Sequence, residues 1–307
     1  MKKLRLVEEN SLTLEEGCNK YLDNCRARNL REGTIGHYRQ SYVQFYKYFG
    51  KDLLVKDIDE KVYQKYVIYL RETLHNDVSI NSYLRDFITT MHFLMKEGYL
   101  ATFRMQAIKV DRSGVETYTE EELYILLKKP NIKKCSFTEY QCWVMTNFLF
   151  STAVRLRSLM HIRVKDIDFD NNVVHVTVTK NRKSLIVPFN QTMRNILQEF
   201  LKYRQYKTED FLFCNVFGNQ LVRSTCYHML YEYNKRRGVE TTGVHRYRHT
   251  FAKQWILNGG NVVSLSKILG HTNASFTLDT YTHVTTDMQK RASNIVGGFM
   301  ENLLIKE

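Results

Sequence analysis

The chain has 307 residues, 43% of them hydrophobic and 25% charged, a composition typical of globular rather than disordered proteins. It contains no run of about 18 uncharged apolar residues, so a membrane-spanning helix is not expected. The N-terminus has a basic start, but Glu8 and Glu9 stand where a secretion signal needs an apolar run. We therefore expect a cytoplasmic protein, long enough for two ordinary domains.

The net charge indicates the class of binding partner, and the cysteine spacing indicates whether disulfides or a metal site are expected. Lysine and arginine number 45 against 32 acidic residues, which gives a net charge of +13. Such an excess favours polyanions such as nucleic acid, although a generally basic cytosolic protein would have the same composition. The six cysteines form no C-x-x-C pair, so we expect small buried side chains rather than disulfides or a zinc site.

Four amphipathic helices are predicted in the first hundred or so residues, because apolar side chains recur there at helical spacing. Thr13 and Glu16 form a capping-box pattern before the first helix. The first helix is predicted to begin after Thr13, and the second to run from near Thr34 to Gly50. The third is predicted to begin near Asp59, and the fourth to end at Gly98. Lysines and arginines occupy the opposite faces, which indicates a compact helical bundle with a basic surface.

The periodicity is lost around residues 110–116, which contain turn residues, so we place a domain linker there. The predicted domains are therefore 1–109 and 117–307. In the second domain, a helix begins after Thr119 with a capping box to Glu122, and an apolar helix covers roughly Phe137 to Thr152. Period-two patterns then predict three short strands near 168–170, 173–178 and 185–187. Helices resume around 191–206, around 224–236 and from His245, so the predicted class is mainly α with a small antiparallel sheet.

Four segments of the second domain carry side chains suited to phosphate chemistry. An apolar helix end delivers one arginine, a predicted hairpin carries a lysine, and H-x-x-R and L-G-H sequences precede a tyrosine. The residues concerned are Arg155, Lys180, His245, Arg248, His271 and Tyr281. Each alone has an ordinary structural explanation, such as a surface salt bridge, a solvated charge or one core tyrosine among 20.

Together and in this order, these segments resemble the tyrosine recombinase family, also called the phage integrase family. The resemblance implies that all six residues are catalytic. It also implies that the helical first domain is the family's SAM-like core-binding domain, and that the two domains form a C-shaped clamp around duplex DNA. The size resembles that of Xer recombinases, without an arm-binding domain.

The chemistry of phosphodiester cleavage accounts for these residue types. Two guanidinium groups, Arg155 and Arg248, would hold the non-bridging oxygens, with His271 as a further donor. Lys180 would protonate the departing 5′ oxygen, and His245 would assist proton movement or orient the phosphate. Tyr281 would attack the phosphorus and leave a 3′-phosphotyrosine, which needs no metal, cofactor or ATP for rejoining.

Two positions depart from the family pattern, and one pair suggests a different chemistry. Ala153 stands where glycine is usual, and Ser158 stands where a glutamate commonly follows the arginine. His245 and His249 have the i, i+4 spacing of zinc metalloproteases. However, Arg246 replaces the glutamate of that motif, so zinc is not expected.

The resemblance further implies homo-oligomers on DNA, with a tetramer in the synaptic complex. Residues 299–304 are spaced like one face of a short helix after Gly297-Gly298, and this C-terminal tail would dock into a neighbouring protomer. A type IB topoisomerase-like relaxase and a non-catalytic DNA-binding paralogue are the alternatives to a site-specific recombinase. A mobile-element integrase and a resolver of chromosome dimers remain equally compatible.

Overall fold

The structure is a computed structural model of the chain and describes residues 12–110, 115–179, 183–204, 206–240, 242–271, 273–281 and residue 293. The chain divides into two compact units, Met1–Arg112 and Ser113–Glu307. The limits predicted from the sequence, 1–109 and 117–307, remain our proposal for the functional domains. Within the described ranges, no helix is long and apolar enough to cross a membrane.

The first unit contains the four predicted helices. They are α1 (Leu14–Ala27), α2 (Glu32–Phe49), α3 (Glu60–Thr73) and α4 (Asp77–Lys96). The capping box of Thr13 and Glu16 is present at the start of α1. Helix α2 begins two residues earlier than predicted, because the Thr34 amide already donates to the Arg31 carbonyl and so lies inside the first turn.

Aromatic rings fill the centre of this bundle. Phe45, Tyr66 and Phe87 are fully buried, and the Phe45 ring lies edge-on to the other two at centroid distances of 6.0 and 5.1 Å. Such pairs contribute about 0.5–1.5 kcal/mol beyond the burial of their area. The bundle therefore has a core of its own.

The second unit is mainly helical. Its helices are α5 (Glu120–Leu127), α6 (Phe137–Thr152), α7 (Leu156–Leu159), α8 (Gln191–Lys202), α9 (Arg223–Arg236), α10 (Val244–Leu257) and α11 (Val262–Ile268). A further helical segment covers residues 274–281. Helix α6 is buried along most of its length, packs against α8, α9 and α10, and forms the centre of the unit.

Three short strands form an antiparallel sheet in the order β1 (Ile167–Asp168), β2 (Val173–Val176), β3 (Leu185–Pro188). Strand β2 was predicted to reach residue 178 but ends at Val176. The Val178 carbonyl accepts a hydrogen bond from the Ser158 hydroxyl at 2.9 Å instead of continuing the ladder. Residues 180–182 of the predicted hairpin lie outside the described residues.

Helix α8 was predicted to reach residue 206 but ends at Lys202. Two residues later, the Arg204 guanidinium donates to the carbonyls of Phe211 and Leu212, each at 2.7 Å. These bonds join Arg204 to carbonyls seven and eight positions further along the chain, and no periodic pattern in the sequence predicts them.

Candidate active site

Helix α10 presents a buried guanidinium to the ends of two other helices. Arg248 is 6% exposed. Its Nη1 donates to the Ala153 carbonyl at 2.8 Å, and its Nη2 donates to the Leu269 carbonyl. Among the described residues it forms no ion pair with a carboxylate, so backbone oxygens orient it while its charge stays unneutralised. Burial and the charge of Arg155 lower the pKa of Arg248 to about 9, which still leaves it protonated at neutral pH.

The loop after α6 brings the second arginine to the same place. Helix α6 ends at Thr152, and its C-cap residue Ala153 has a φ of 52°, in the left-handed region that favours glycine. This turn points the Ala153 carbonyl at Arg248, and Arg155 follows as the N-cap residue of α7. Burial lowers the pKa of Arg155.

A cavity of about 350 Å³ lies between these elements. Five of the side chains that line it are basic, and Ser158 stands beside them. The basic ones are Arg155, Lys183, Arg248, Lys267 and His271. No carboxylate belongs to its lining in the described part of the chain. A cavity with this lining favours a dianion or a phosphodiester over a neutral molecule or a metal cation.

His271 is held at both ring nitrogens. Its Nε2 lies 3.0 Å from Arg248 Nη2, and its Nδ1 lies 2.7 Å from the Thr277 hydroxyl. Burial, followed by the charges of Arg248 and Arg155, lowers the pKa of His271 to about 4, so the ring is neutral at pH 7. The sequence predicted His271 as a hydrogen-bond donor, but in this arrangement Nε2 accepts from the guanidinium.

Tyr281 is buried beside the cavity rather than in its lining. The side chain is 2% exposed and packs in a small cluster with Ala252, Leu265 and Leu269. Its hydroxyl lies 2.8 Å from Nδ1 of His249. Burial raises the pKa of Tyr281 to about 12, and the charge of Arg248 acts in the opposite direction.

The two histidines of α10 occupy one face of the helix. His249 is partly buried, and burial together with His245 and Arg248 lowers its pKa to about 4. A neutral His249 can accept the Tyr281 hydroxyl proton in a hydrogen bond. His245 is an exposed residue. Partial desolvation of its ring, followed by the positive charges of Arg248 and Arg155, lowers its pKa. Where the structure describes the chain, no group of three His, Cys, Asp or Glu side chains could hold a metal ion.

The structure thus brings together three of the six predicted residues, Arg155, Arg248 and His271, at one cavity. Tyr281 contacts His249, which is the neighbour of Arg248 on α10. His245 lies one turn before His249 on the same helix. Lys180 lies outside the described residues, and its placement is not described.

Two residues that contact the predicted set were not recognised in the sequence. His249 was weighed only as a zinc ligand, although it contacts Tyr281. Thr277 was not singled out, although it contacts His271. The only sequence signal for Thr277 is its position four residues before Tyr281, on the same helical face.

Comparison with known proteins identifies the family. Residues 116–288 match the phage integrase family, and residues 13–110 match the phage integrase SAM-like domain.

The chain belongs to the phage integrase family.

The predicted family, the mainly helical fold with a small antiparallel sheet, and the class of enzyme, a tyrosine-type recombinase of DNA, are thereby confirmed.

Several members of the family are similar over most of the chain. The tyrosine recombinase XerC of Staphylococcus aureus strain JH9 is 26% identical over 272 residues, which cover 86% of this chain and 90% of XerC. The Tn1549 transposon integrase, solved with circular intermediate DNA, superposes with a TM-score of 0.73 at 20% identity and covers 92% of this chain and 99% of that one. The XerH recombinase, solved in a post-cleavage complex with palindromic difH substrate, gives a TM-score of 0.67 at 19% identity, covering 90% and 83%. At these identities the structures support the fold.

The lowered histidine pKa values predict acid sensitivity of this unit. His249 and His271 have pKa values of about 4 in the folded state against an ordinary 6.5, so the unfolded chain binds more protons between these pH values. The free energy of unfolding should therefore have its highest value above pH 6.5. It should decrease as the pH drops toward 4, by at most about 1.4 kcal/mol per pH unit for each histidine. Both tryptophans, Trp143 and Trp255, belong to this unit, so their fluorescence in urea titrations reports on it.

A double variant tests the source of this acid sensitivity. His249→Gln with His271→Gln should reduce the slope of the free energy of unfolding against pH, and His175→Gln, at an exposed strand position, is the control substitution. Equal slopes in the double variant and the wild type would show that other groups cause the effect.

The glycine position occupied by Ala153 predicts a small effect on stability. Ala153→Gly relieves a left-handed conformation that costs an alanine about 1 kcal/mol, but it also removes a fully buried methyl group worth about 0.8 kcal/mol. Because the two effects offset each other, the urea midpoint should move by the equivalent of less than about 1 kcal/mol. A stabilisation well above that value would mean that the backbone at Ala153 is more strained than its φ of 52° indicates.

Proposed function

We propose that this recombinase performs site-specific strand exchange between two DNA sites, cutting and rejoining each strand through a 3′-phosphotyrosine on Tyr281. The observation that carries the proposal is the cavity lined by Arg155 and Arg248, with no carboxylate among its described lining residues, beside the buried Tyr281 that contacts His249 of α10. A DNA substrate also supports the cytoplasmic location predicted from the sequence.

The two arginines suit the transition state of phosphoryl transfer. Negative charge accumulates there on the non-bridging oxygens, and guanidinium groups fixed in advance stabilise it without reorganising. Arg248 is fixed by the carbonyls of Ala153 and Leu269, so its orientation does not depend on the substrate. His271 would add a donor once its Nε2 carries a proton, which the negative phosphate favours.

The cleavage step balances with the residues proposed from the sequence. The Tyr281 oxygen forms a bond to phosphorus and loses its proton, for which His245 is the proposed carrier. The bond from phosphorus to the 5′ oxygen breaks, and Lys180 would protonate that oxygen. Rejoining reverses the step: a 5′ hydroxyl of the partner strand attacks the phosphotyrosine and releases Tyr281, so no external energy source is needed.

Tyr281 has to move for this reaction. Its hydroxyl is hydrogen-bonded to His249, and the side chain does not belong to the lining of the cavity among the described residues. Cleavage therefore requires the 274–281 segment to shift toward Arg155 and Arg248 when DNA is bound.

The experiment that tests the proposal uses the full chain and sheared, nicked genomic DNA from the organism that encodes it. After incubation in EDTA and denaturation, we expect protein covalently attached to DNA, and sequencing of the attached DNA should identify one recurring site. A plasmid with two copies of that site should then exchange segments. Relaxation of supercoiled plasmid without exchange would indicate a topoisomerase-like relaxase, and binding without adduct would indicate a non-catalytic paralogue.

We also propose that four protomers assemble on paired sites and that the C-terminal tail of each docks into a neighbour. The tail lies outside the described residues. Deleting residues 298–307 should leave binding of a single site unchanged and weaken cooperative assembly of two sites, measured by native gel shift. Undiminished assembly of the truncated chain would contradict tail exchange.

A further inference from the structure

Thr277 belongs to the helical segment 274–281 and contacts His271, a residue of the proposed phosphate site. Its side chain is fully buried, and its hydroxyl lies 2.7 Å from His271 Nδ1. On the other side of the same ring, Nε2 lies 3.0 Å from Arg248 Nη2. The imidazole is therefore held by one group at each nitrogen.

The contact with Arg248 determines the tautomer of His271, and the contact with Thr277 holds the ring in the orientation that makes this contact. A guanidinium group has N–H donors and no acceptor, so Nε2 must contribute a lone pair to the contact with Arg248. The proton of the neutral ring is then on Nδ1, and it is donated to the Thr277 oxygen. The opposite tautomer would place an N–H group against the N–H groups of Arg248.

We propose that Thr277 is a positioning residue of the strand-cleavage reaction, which fixes the ring orientation of His271 so that Nε2 faces Arg248 and the phosphate cavity and the neutral ring keeps its Nδ1–H tautomer. The proposal rests on the proposed function, because it assigns His271 to the phosphate.

The same contact serves both protonation states that the reaction needs. In the neutral ring, Nδ1–H donates to Thr277 and Nε2 accepts from Arg248. When a phosphate oxygen takes over the Arg248 donor, protonation of Nε2 turns it into a donor to that phosphate. Nδ1–H still donates to Thr277, so the ring changes its charge without having to rotate.

The position of Thr277 also couples His271 to the nucleophile. Thr277 and Tyr281 are four residues apart on one helical segment, so they lie one above the other on the same face. A shift of this segment that carries Tyr281 toward the cavity therefore also moves the group that orients His271. Nucleophile and phosphate donor are thereby adjusted together.

Two substitutions separate the hydroxyl from the packing of this side chain. Thr277→Val keeps the shape and removes the hydroxyl, whereas Thr277→Ser keeps the hydroxyl and removes a methyl group. If Thr277 acts through its hydrogen bond, serine should behave like the wild type and valine should not. If Thr277 acts by packing alone, valine should be the milder change.

The decisive experiment combines a spectroscopic and a kinetic measurement. Long-range proton–nitrogen NMR of protein labelled with ¹⁵N-histidine distinguishes the two tautomers, and the signals of His271 are those that disappear in His271→Gln. We expect the Nδ1–H tautomer in the wild type and in Thr277→Ser. In Thr277→Val the ring is no longer held at Nδ1 and can turn away from Arg248, so we expect a mixture of tautomers. On the DNA site recovered from the adduct experiment, Thr277→Val should form covalent adduct about 10- to 100-fold more slowly, with an altered pH profile, and Thr277→Ser within about threefold of the wild type.

The outcomes distinguish this inference from the proposed function. An unchanged tautomer and an unchanged rate in Thr277→Val would overturn the positioning role, and so would a loss of rate in Thr277→Ser as large as in Thr277→Val. A shift of the tautomer in a protein whose wild type forms no adduct would support the geometry and refute the proposed reaction.

Discussion

Replacing Tyr281 by phenylalanine should abolish the covalent attachment to DNA, with at least a roughly 10⁴-fold loss of adduct formation. Phenylalanine lacks the hydroxyl oxygen that would bond to the phosphorus. The fold should persist, because the change removes one hydrogen bond, to His249 at 2.8 Å, worth about 1 kcal/mol. The adduct is measured on denaturing gels in EDTA, and DNA binding by gel shift.

Tyr233 provides a matched control. It is also a buried tyrosine with a hydrogen-bonded hydroxyl, which donates to the Leu126 carbonyl at 2.8 Å. Tyr233→Phe should lose about as much stability as Tyr281→Phe and keep its adduct. Persistence of the adduct in Tyr281→Phe, or its loss in both variants, would show that Tyr281 is not the nucleophile.

Replacing Arg248 by lysine should reduce adduct formation about 10²- to 10³-fold and also lower stability. An ammonium group carries the same charge, but it cannot reach the carbonyls of Ala153 and Leu269 together and still offer a planar pair of donors to a phosphate. A buried carbonyl left without its donor costs about 1–3 kcal/mol. The rate is measured below the unfolding transition of the variant, and stability is followed by tryptophan fluorescence in urea.

Arg246 provides the control on the same helix. Its guanidinium pairs with Glu116, whose side chain is 75% exposed, and it does not line the cavity. Arg246→Lys should change stability by less than about 1 kcal/mol and leave the cleavage rate unchanged. If Arg248→Lys cleaves as fast as Arg246→Lys, the buried guanidinium has no role in phosphate stabilisation.

The helices were predictable from the sequence where local interactions determine them. Thr13 and Thr119 begin helices with capping boxes because both partners of each box lie within four residues. The run of apolar residues in α6 predicted its limits, Phe137 and Thr152, because such a run is also a local feature of the sequence. At the ends of β2 and α8, where the prediction ran too far, the side chains of Ser158 and Arg204 form hydrogen bonds with backbone carbonyls 20 and seven positions away.

The residue types of the site were also predictable, but the contacts between its side chains were not. Arg248 contacts the carbonyl of Ala153, 95 positions away, and Tyr281 contacts His249, 32 positions away. Spacing along the chain says nothing about such pairs. The sequence also did not show that Ser158, in the position of the common glutamate, ties α7 to the end of β2 instead of contacting a charge.

The most direct test of the central claim is to identify the residue that carries the DNA. The adduct is digested with nuclease and trypsin, and the nucleotide-linked peptide is sequenced by tandem mass spectrometry. Trypsin should release residues 268–290, which contain one tyrosine, Tyr281. We expect the mass of this peptide to increase by a nucleotide linked through its 3′ phosphate. A nucleotide on any other peptide, or a link through the 5′ end of the DNA, would contradict the account.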